Sequence, residues 1–305
     1  MELKPAIPSL SVLMPVYNNA RHLRQAVESI LQQTYTDFEF IIINDGSSDN
    51  SQAILEELAA KDARIRLVSR PNTGYCRALN EALGYARGEF IGRMDADDIA
   101  IPDRFERQVA YLRAHPECVA VGGRVLLMDD VGVPLCEMCQ EQTHEAIDAA
   151  HMAGRGGTIA HPAMTARKSA MVAIGGYDES YDFAEDLDFF LRMAEYGRVA
   201  NLDCVVLRYR QHLASIGYTK SEIQQRSALT VLKAAYKRRG LELPAEIESR
   251  PVETSSAAQV HRKWAWWALD AGNLRGARKH AWLAFLREPF SADSWRALFC
   301  ALRGH

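Results

Sequence analysis

The sequence predicts an α/β fold, a mostly parallel central sheet flanked by helices, with a C-terminal helical appendage. Apolar runs of strand length alternate with amphipathic helical segments over residues 9–100, and this alternation implies crossover connections between parallel strands. Polar or acidic residues directly follow the strands, at the edge where open α/β sheets bind ligands. From Ser221 onward the pattern is helical alone.

The first half opens with the apolar run Leu10–Val16, which is typical of a strand buried on both faces. An asparagine then caps a helix whose apolar residues recur every three or four positions. The cycle repeats twice. It predicts strands at Phe38–Ile43 and Ile65–Val68, apolar helical stripes within Leu23–Leu31, Ile54–Leu58 and Ala78–Ala86, a turn and cap at Asp45–Asp49, a helix start at Asn72–Gly74 and a helix end at Gly88.

A fourth strand, Glu89–Gly92, runs directly into Asp95 and Asp97. Several carboxylates at a strand end are costly unless a cation such as Mg²⁺ or Mn²⁺ lies among them. Such ions take their remaining ligands from water and phosphates, so the implied ligand is a nucleotide or another phosphorylated compound. The alternative is an acidic turn that caps the next helix. In a parallel sheet these acids would lie close to Tyr17, to Asp45 and to the loop 72–77.

Beyond Asp98 the pattern changes, because strands and helices no longer alternate regularly. Glu185 and Asp186 stand at the start of a predicted helix that Gly197 ends, where the helix dipole favours carboxylates; simple helix capping is the alternative. Residues 129–157 show little pattern. The other predicted elements are a helix from Pro102 through Leu112, strands at Val119–Leu127, Thr158–Ala166 and Val205–Arg210, and a glycine-hinged loop at Ile174–Glu179.

Composition limits the function classes. The chain has 305 residues, 48% of them apolar, and a net charge of −3, so nothing attracts it globally to nucleic acid. Met1–Pro5 does not begin a secretory signal, and no window approaches a membrane span, so we expect a cytoplasmic chain. The six cysteines are expected to be reduced; the pair Cys136 and Cys139 lacks the second pair that a zinc site needs.

The C-terminal segment 256–305 is basic. It carries eight lysines and arginines against three acidic residues, a net charge of +5, interleaved with Trp and Phe. Basic aromatic helices can lie on anionic membranes, which predicts a peripheral contact with the inner face of the membrane. An ordinary packed helical bundle with a solvated basic face is the alternative.

Two common nucleotide motifs are missing after the first strand. Pro15–Asn19 contains neither the G-x-G-x-x-G of dinucleotide-binding folds nor a G-x-x-x-x-G-K-[ST] phosphate loop. A dehydrogenase and a P-loop ATPase are therefore disfavoured.

Six motifs in this order resemble the signatures of family 2 glycosyltransferases of the GT-A fold, over roughly residues 9–215. One departure is Asn44, where relatives commonly carry an acid. The segments that carry the resemblance are Val12–Asn18, Ile43–Asp49, Asn72–Gly74, Met94–Asp98, Gly175–Glu179 and Glu185–Asp186.

The resemblance implies a role for each matching residue. Asp97 and His212 would bind a divalent Mn²⁺ or Mg²⁺, and Asp186, with its neighbour Glu185, would remove the acceptor proton. The residues that would bind the nucleotide-sugar donor are Pro15, Tyr17, Asp45, Arg77, Asp95, Ala96 and Asp97.

The implied reaction moves a sugar from a UDP-sugar to a hydroxyl of a glycan or lipid-linked acceptor, with inversion, in the synthesis of a cell-surface polysaccharide or lipid-linked oligosaccharide. The expected organisation is a GT-A domain over 1–215, with a nucleotide-binding half at 9–100 and an acceptor half at 101–215, followed by helices over 216–305. Two alternatives are weighed. A sugar nucleotidyltransferase would need a glycine-rich N-terminal loop, and a non-catalytic nucleotide-binding scaffold would not need Asp95, Asp97, Asp186 and His212 together.

Overall fold

The computed structural model describes residues 7–181, 183–252 and 254–305, so the expectation drawn from Met1–Pro5 concerns residues outside these ranges. The N-terminal half alternates strand and helix as the periodicity predicts. Its elements are β1 Leu10–Val16, α1 Ala20–Leu31, β2 Phe38–Asp45, α2 Ser51–Lys61, β3 Ile65–Arg70, α3 Tyr75–Tyr85 and β4 Phe90–Arg93.

The second half is less regular. A short 3₁₀ helix at His161–Ala163 precedes the strand Thr165–Arg167. The other elements are β5 Ile99–Ala100, α4 Arg104–Ala114, β6 Cys118–Asp129, β7 Pro134–Met138, α5 His144–Met152, β8 Thr165–Arg167, α6 Lys168–Ala173, α7 Glu185–Tyr196 and β9 Arg198–Gln211. Helices follow to the C-terminus: α8 Ile216–Thr219, α9 Ser221–Arg238, α10 Ala245–Glu248, α11 Ala257–Asp270, α12 Leu274–Arg287 and α13 Ala292–Arg303.

The strands form one sheet in the order β3-β2-β1-β4-β8-β6-β9-β5, with β7 paired to β6. The predicted α/β fold is confirmed. From β3 to β4 every pair is parallel, and β1 and β2 are buried along their whole length. Beyond β4 the sheet is mixed, because β8 runs antiparallel to both β4 and β6 while β9 runs parallel to β6.

Two predicted elements differ from the structure, and two further elements lie where none was predicted. Thr158–Ala166 contains a 3₁₀ turn, and strand begins only at Thr165; Pro162 has no N–H to donate to a ladder. The strand predicted at Val205–Arg210 begins at Arg198, with register shifts against β6 that interrupt its alternation. Residues 129–157, which show little sequence pattern, contain β7 and α5.

The C-terminal helices pack on the β6–β7 hairpin. The indole N–H of Trp264 on α11 donates to the Tyr218 hydroxyl at 2.9 Å, and the Asn273 amide donates to the Leu135 carbonyl at 2.8 Å. On α12, His280 Nε2 lies 3.1 Å from a carboxylate oxygen of Asp129, and Lys279 pairs with that same oxygen. One hydrophobic cluster therefore runs from the sheet into these helices. No helix in the described ranges is both long enough and apolar enough to cross a membrane.

Candidate functional site

The site lies where β1, β2 and β4 end, because parallel pairing brings the three carboxyl ends to one edge of the sheet. The loops after β1 and β2 are joined by hydrogen bonds. Asn18 donates its N–H to Ser47 Oγ at 3.0 Å, and its side-chain oxygen accepts the N–H of Ser48 at 2.7 Å. Pro15 is buried within β1, whereas Tyr17 is exposed beside these loops. Tyr17 thus offers an aromatic surface at the edge.

Asp45 ends β2 and is almost fully buried. Its carboxylate accepts the N–H of Thr73 at 2.8 Å and of Gly74 at 3.0 Å, and it forms an ion pair with Arg70. Gly74 has φ 104°, which a residue with a side chain rarely adopts. The predicted proximity of Asp45 to the loop 72–77 is therefore present.

The turn after β2 explains the departure at Asn44. Its side-chain oxygen accepts hydrogen bonds from the N–H of Ser47 at 3.2 Å and from the Ser47 hydroxyl at 2.6 Å. Asn44 thus holds the turn that carries Ser47 to Asn18. Arg77, on α3, extends from the same edge and pairs with Glu179 at 3.2 Å, with both side chains exposed.

Three carboxylates gather after β4. Oxygen atoms of Asp95, Asp97 and Asp98 all lie within 4.8 Å of one another. His212, immediately after β9, places Nε2 3.3 Å from Asp97 Oδ2. Two residues 115 positions apart in the chain thus meet here.

Burial and mutual repulsion make this cluster electrostatically unfavourable as it stands. Burial raises the pKa of the Asp98 carboxyl well above its ordinary value, and the charges of Asp97 and Asp95 raise it further. Burial also raises the pKa of Asp95, against the opposing charge of Arg93. Asp98 Oδ2 is buried without a hydrogen-bond partner in the described residues. A set of hard oxygen donors with excess negative charge and one imidazole nitrogen fits a divalent Mg²⁺ or Mn²⁺ ion.

Arg93 is a buried cation that contacts the acidic cluster at Asp95. It ends β4, only 2% of its side chain is exposed, and Nη1 lies 2.6 Å from Asp95 Oδ2 as an ion pair. Its guanidinium also stands 5.5 Å from the centre of the Tyr75 ring. Sequence reasoning missed Arg93, although a charged residue at the end of a buried apolar strand was a usable signal.

Glu185 and Asp186 lie in the first turn of α7, as predicted. The N-cap position belongs to Ala184, and Asp186 accepts a hydrogen bond from the N–H of Leu187 at 2.7 Å. Both side chains are half-buried. Burial, followed by the charge of Asp186, raises the pKa of Glu185 to about 8. Burial also raises the pKa of Asp186, while Arg93 lowers both pKa values and Asp95 raises both.

The charges of Arg93 and Asp95 thus act on both carboxyls at the start of α7. Two further residues that sequence reasoning missed lie behind them. The Tyr177 hydroxyl is 2.8 Å from His161 Nε2, and the Tyr177 ring stacks on Phe189 at 4.6 Å. Their only sequence signal was the glycine-hinged segment that contains Tyr177.

A family model described as glycosyl transferase family 2 matches residues 11–134. EpsE of Bacillus subtilis, named as a glycosyltransferase, is 34% identical over 209 residues, which are 67% of this chain and 73% of EpsE. The amylovoran biosynthesis glycosyltransferase AmsE of Erwinia amylovora is 30% identical over 240 residues, covering 75% of this chain and 87% of AmsE. The hyaluronan synthase of Pasteurella multocida is 29% identical over 77% of this chain, but the match spans only 24% of that longer protein.

Two solved structures share the fold. S. aureus TarS 1–349 in complex with UDP-GlcNAc superposes with a TM-score of 0.60 at 18% identity, covering 97% of this chain and 92% of that one. The mannosyltransferase PcManGT from Pyrobaculum calidifontis, in complex with GDP-Man and Mn²⁺, gives a TM-score of 0.58 at 20% identity, covering 98% and 86%. At these identities the likeness concerns the fold alone.

Proposed function

The chain belongs to glycosyl transferase family 2 and is a glycosyltransferase, and we propose that it moves a sugar from a UDP-sugar to an acceptor hydroxyl with inversion. One observation carries the proposal. An acidic cluster with a histidine at its side lies at the edge where the parallel strands end, and the charge of Arg93 acts both on Asp95 and on the carboxyls that open α7. The proposed donor-binding residues are Pro15, Tyr17, Asp45, Arg77, Asp95, Ala96 and Asp97.

Asp97 and His212 are the proposed metal ligands, with Asp98 directly behind them. When bound, a divalent cation supplies positive charge where negative charge develops on the leaving diphosphate. The ion pair with Arg93 favours the ionised form of Asp95 and opposes the effect of burial on its pKa.

Asp186 is the proposed general base. Burial raises its pKa, which strengthens its affinity for the acceptor proton and brings it closer to neutral working pH. A single displacement from the face opposite the diphosphate inverts the anomeric centre, because the acceptor oxygen and the leaving oxygen are then in line.

The proposed acceptor is a glycan or a lipid-linked saccharide. The name of AmsE refers to the biosynthesis of amylovoran, and the name of the Pasteurella multocida relative refers to the synthesis of hyaluronan. A role in assembling a cell-surface polysaccharide or lipid-linked oligosaccharide is the corresponding proposal for this chain.

We also propose a peripheral membrane contact through α12 and α13. Phe285 contacts both Trp282 and Trp295, which joins the two helices into one apolar face. Phe290, in the connecting turn, is 99% exposed. This α12–α13 face consists of Trp282, Leu286, Phe290, Trp295, Phe299 and Leu302. The same helices carry basic residues, and the Arg303 guanidinium lies 5.1 Å from the centre of the Phe299 ring.

The proposed metal site is tested by UDP binding to wild type and to Asp97→Ala, with Mn²⁺ and with EDTA. We expect Mn²⁺ to strengthen UDP binding to the wild type and Asp97→Ala to lose most of that gain, because one of few anionic ligands is removed. Thermal shift and calorimetry measure both effects. Equal UDP binding by Asp97→Ala and wild type under both conditions would contradict the metal assignment.

A further inference from the structure

Arg210, near the end of β9, is a buried arginine directly behind the acidic cluster. Only 5% of the residue is exposed. Its backbone N–H donates to Asp98 Oδ1 at 2.7 Å, and its side-chain Nε donates to the backbone carbonyl of Asp97 at 2.7 Å. One residue thus holds both the main chain of Asp97 and the side chain of Asp98.

The rest of the guanidinium binds two other parts of the fold. Nη1 donates to the Asp130 carbonyl at 2.9 Å, and Nη2 donates to Gln25 Oε1 at 3.1 Å. Asp130 lies just after β6 and is itself held from α1 by His22 at 3.0 Å. Arg210 therefore connects α1, the β6–β7 turn and the loop after β4 at one point.

The position of Arg210 in the chain adds a second constraint. His212 is two residues further along, and its Nε2 is 3.3 Å from Asp97 Oδ2. The same side chain that holds the Asp97 carbonyl therefore lies in the short segment that carries His212.

We propose that Arg210 is a positioning residue that sets the geometry of the Asp97 and His212 pair and thereby the affinity of this site for a divalent cation. The proposal rests on the proposed function, since it assumes that this pair binds the metal. Removing the guanidinium would leave the carbonyls of Asp97 and Asp130 without their donors, so the loop would relax. Lysine offers a single point charge in place of a planar fork and could restore only part of the network.

The test is a Mn²⁺ titration in the presence of UDP. Calorimetry measures Mn²⁺ binding directly, and electron paramagnetic resonance measures it through the signal of free Mn²⁺. Arg210→Met should raise the half-saturating Mn²⁺ concentration by about 10- to 100-fold, the usual effect of losing a residue that orients a metal ligand. Arg210→Lys should fall between Arg210→Met and wild type. UDP affinity at saturating Mn²⁺ should recover in both variants, because neither change removes a donor-binding residue.

Arg167→Met is the matched control. Arg167 also donates to backbone carbonyls, those of Leu112, His115 and Cys118, but it lies on β8 and contacts none of the three clustered aspartates. It should lose thermal stability and keep wild-type Mn²⁺ affinity. All titrations are run below the melting temperature of the least stable variant.

The outcomes separate the two proposals. If UDP binding depends on Mn²⁺ in the wild type and the dependence is unchanged in Arg210→Met, the proposed role of Arg210 is overturned and the proposed metal site stands. If the UDP affinity of the wild type is the same with and without Mn²⁺, both the proposed metal site and the proposed role of Arg210 are overturned. If Arg210→Met does not fold, Arg210→Lys decides: a half-saturating Mn²⁺ concentration equal to that of wild type and Arg167→Met overturns the proposal.

Discussion

At the scale of single residues, buried arginines organise the acidic edge. Arg93 forms an ion pair with Asp95, and its charge lowers the pKa of Glu185 and of Asp186. Burying a guanidinium is costly unless anionic or carbonyl oxygens compensate it. The ion pair with Asp95 offsets part of that cost, while Arg93 Nε is buried without a hydrogen-bond partner in the described residues.

Asp186→Asn should leave UDP affinity almost unchanged and reduce sugar transfer by about 10²–10⁴-fold, the usual contribution of a positioned general base. The amide keeps the size of the side chain and an oxygen that can accept the Leu187 N–H, so the fold should be preserved. UDP release in the presence of acceptor measures turnover, and calorimetry measures UDP affinity.

Glu185→Gln is the neighbouring control, because adjacent residues on a helix face different directions. It should retain more activity than Asp186→Asn. Normal turnover in Asp186→Asn with none in Glu185→Gln would assign the base to Glu185. Normal turnover in both would place the base elsewhere.

At the scale of elements, the start of α11 shows how local sequence fixes a helix boundary. Ser256 and Gln259 form a reciprocal capping box: the Ser256 hydroxyl accepts the Gln259 N–H at 3.2 Å, and Gln259 Oε1 accepts the Ser256 N–H at 2.7 Å. By contrast, Ser291 stands at the N-cap of α13 without a side-chain capping bond. The same residue type therefore has two different roles at two helix starts.

Ser256→Ala should destabilise the protein by about 1 kcal/mol, because an N-cap hydrogen bond is lost. Ser291→Ala, which removes no such bond, should cost clearly less. Urea unfolding of both variants beside wild type measures the difference in the free energy of unfolding. Equal losses in the two variants would show that the capping box adds nothing to stability.

At the scale of the whole molecule, two faces with different chemistry lie on one folded unit. The sheet edge carries the carboxylates, and the α12–α13 face carries large exposed apolar side chains among basic ones. Asp129 connects the two regions: Lys279 and His280 of α12 bind its side chain, and the carbonyl of the next residue, Asp130, accepts from Arg210. The hydrogen bonds around Asp129 also hold its pKa below its ordinary range, so it is an ionised anchor.

A triple variant with Leu286, Phe290 and Phe299 changed to serine should recover less with anionic lipid vesicles than wild type in a flotation assay at low salt. Each side chain is more than half exposed, so folding should be little affected. Added salt should weaken wild-type binding too, because each basic residue near an anionic leaflet contributes about 1 kcal/mol.

The matched control changes Val131, Val172 and Leu241, which are also more than half exposed but lie outside the α12–α13 face, to serine. This control should float like wild type. Equal recovery of all three proteins would leave the α12–α13 face as an ordinary exposed surface.

The sequence by itself determined the strand and helix order of the first half and the identity of the acidic motif. Runs such as Leu10–Val16 and the stripe of α1 carry their own periodicity, and the capping box of α11 lies within four residues of the chain. These features depend on neighbours within a few residues, which is the range over which periodicity and capping act.

Only the tertiary structure decided which distant residues meet and what holds them. It decided the antiparallel pairing of β8 with β4, the length of β9 and the contacts of Arg93 and Arg210. These contacts join residues up to 185 positions apart. No local pattern distinguishes Arg210 from an exposed arginine such as Arg208, because burial is set by the elements that pack around a side chain. The motif thus named the chemistry of the site, while the packing of β9 against the loop after β4 determined its geometry.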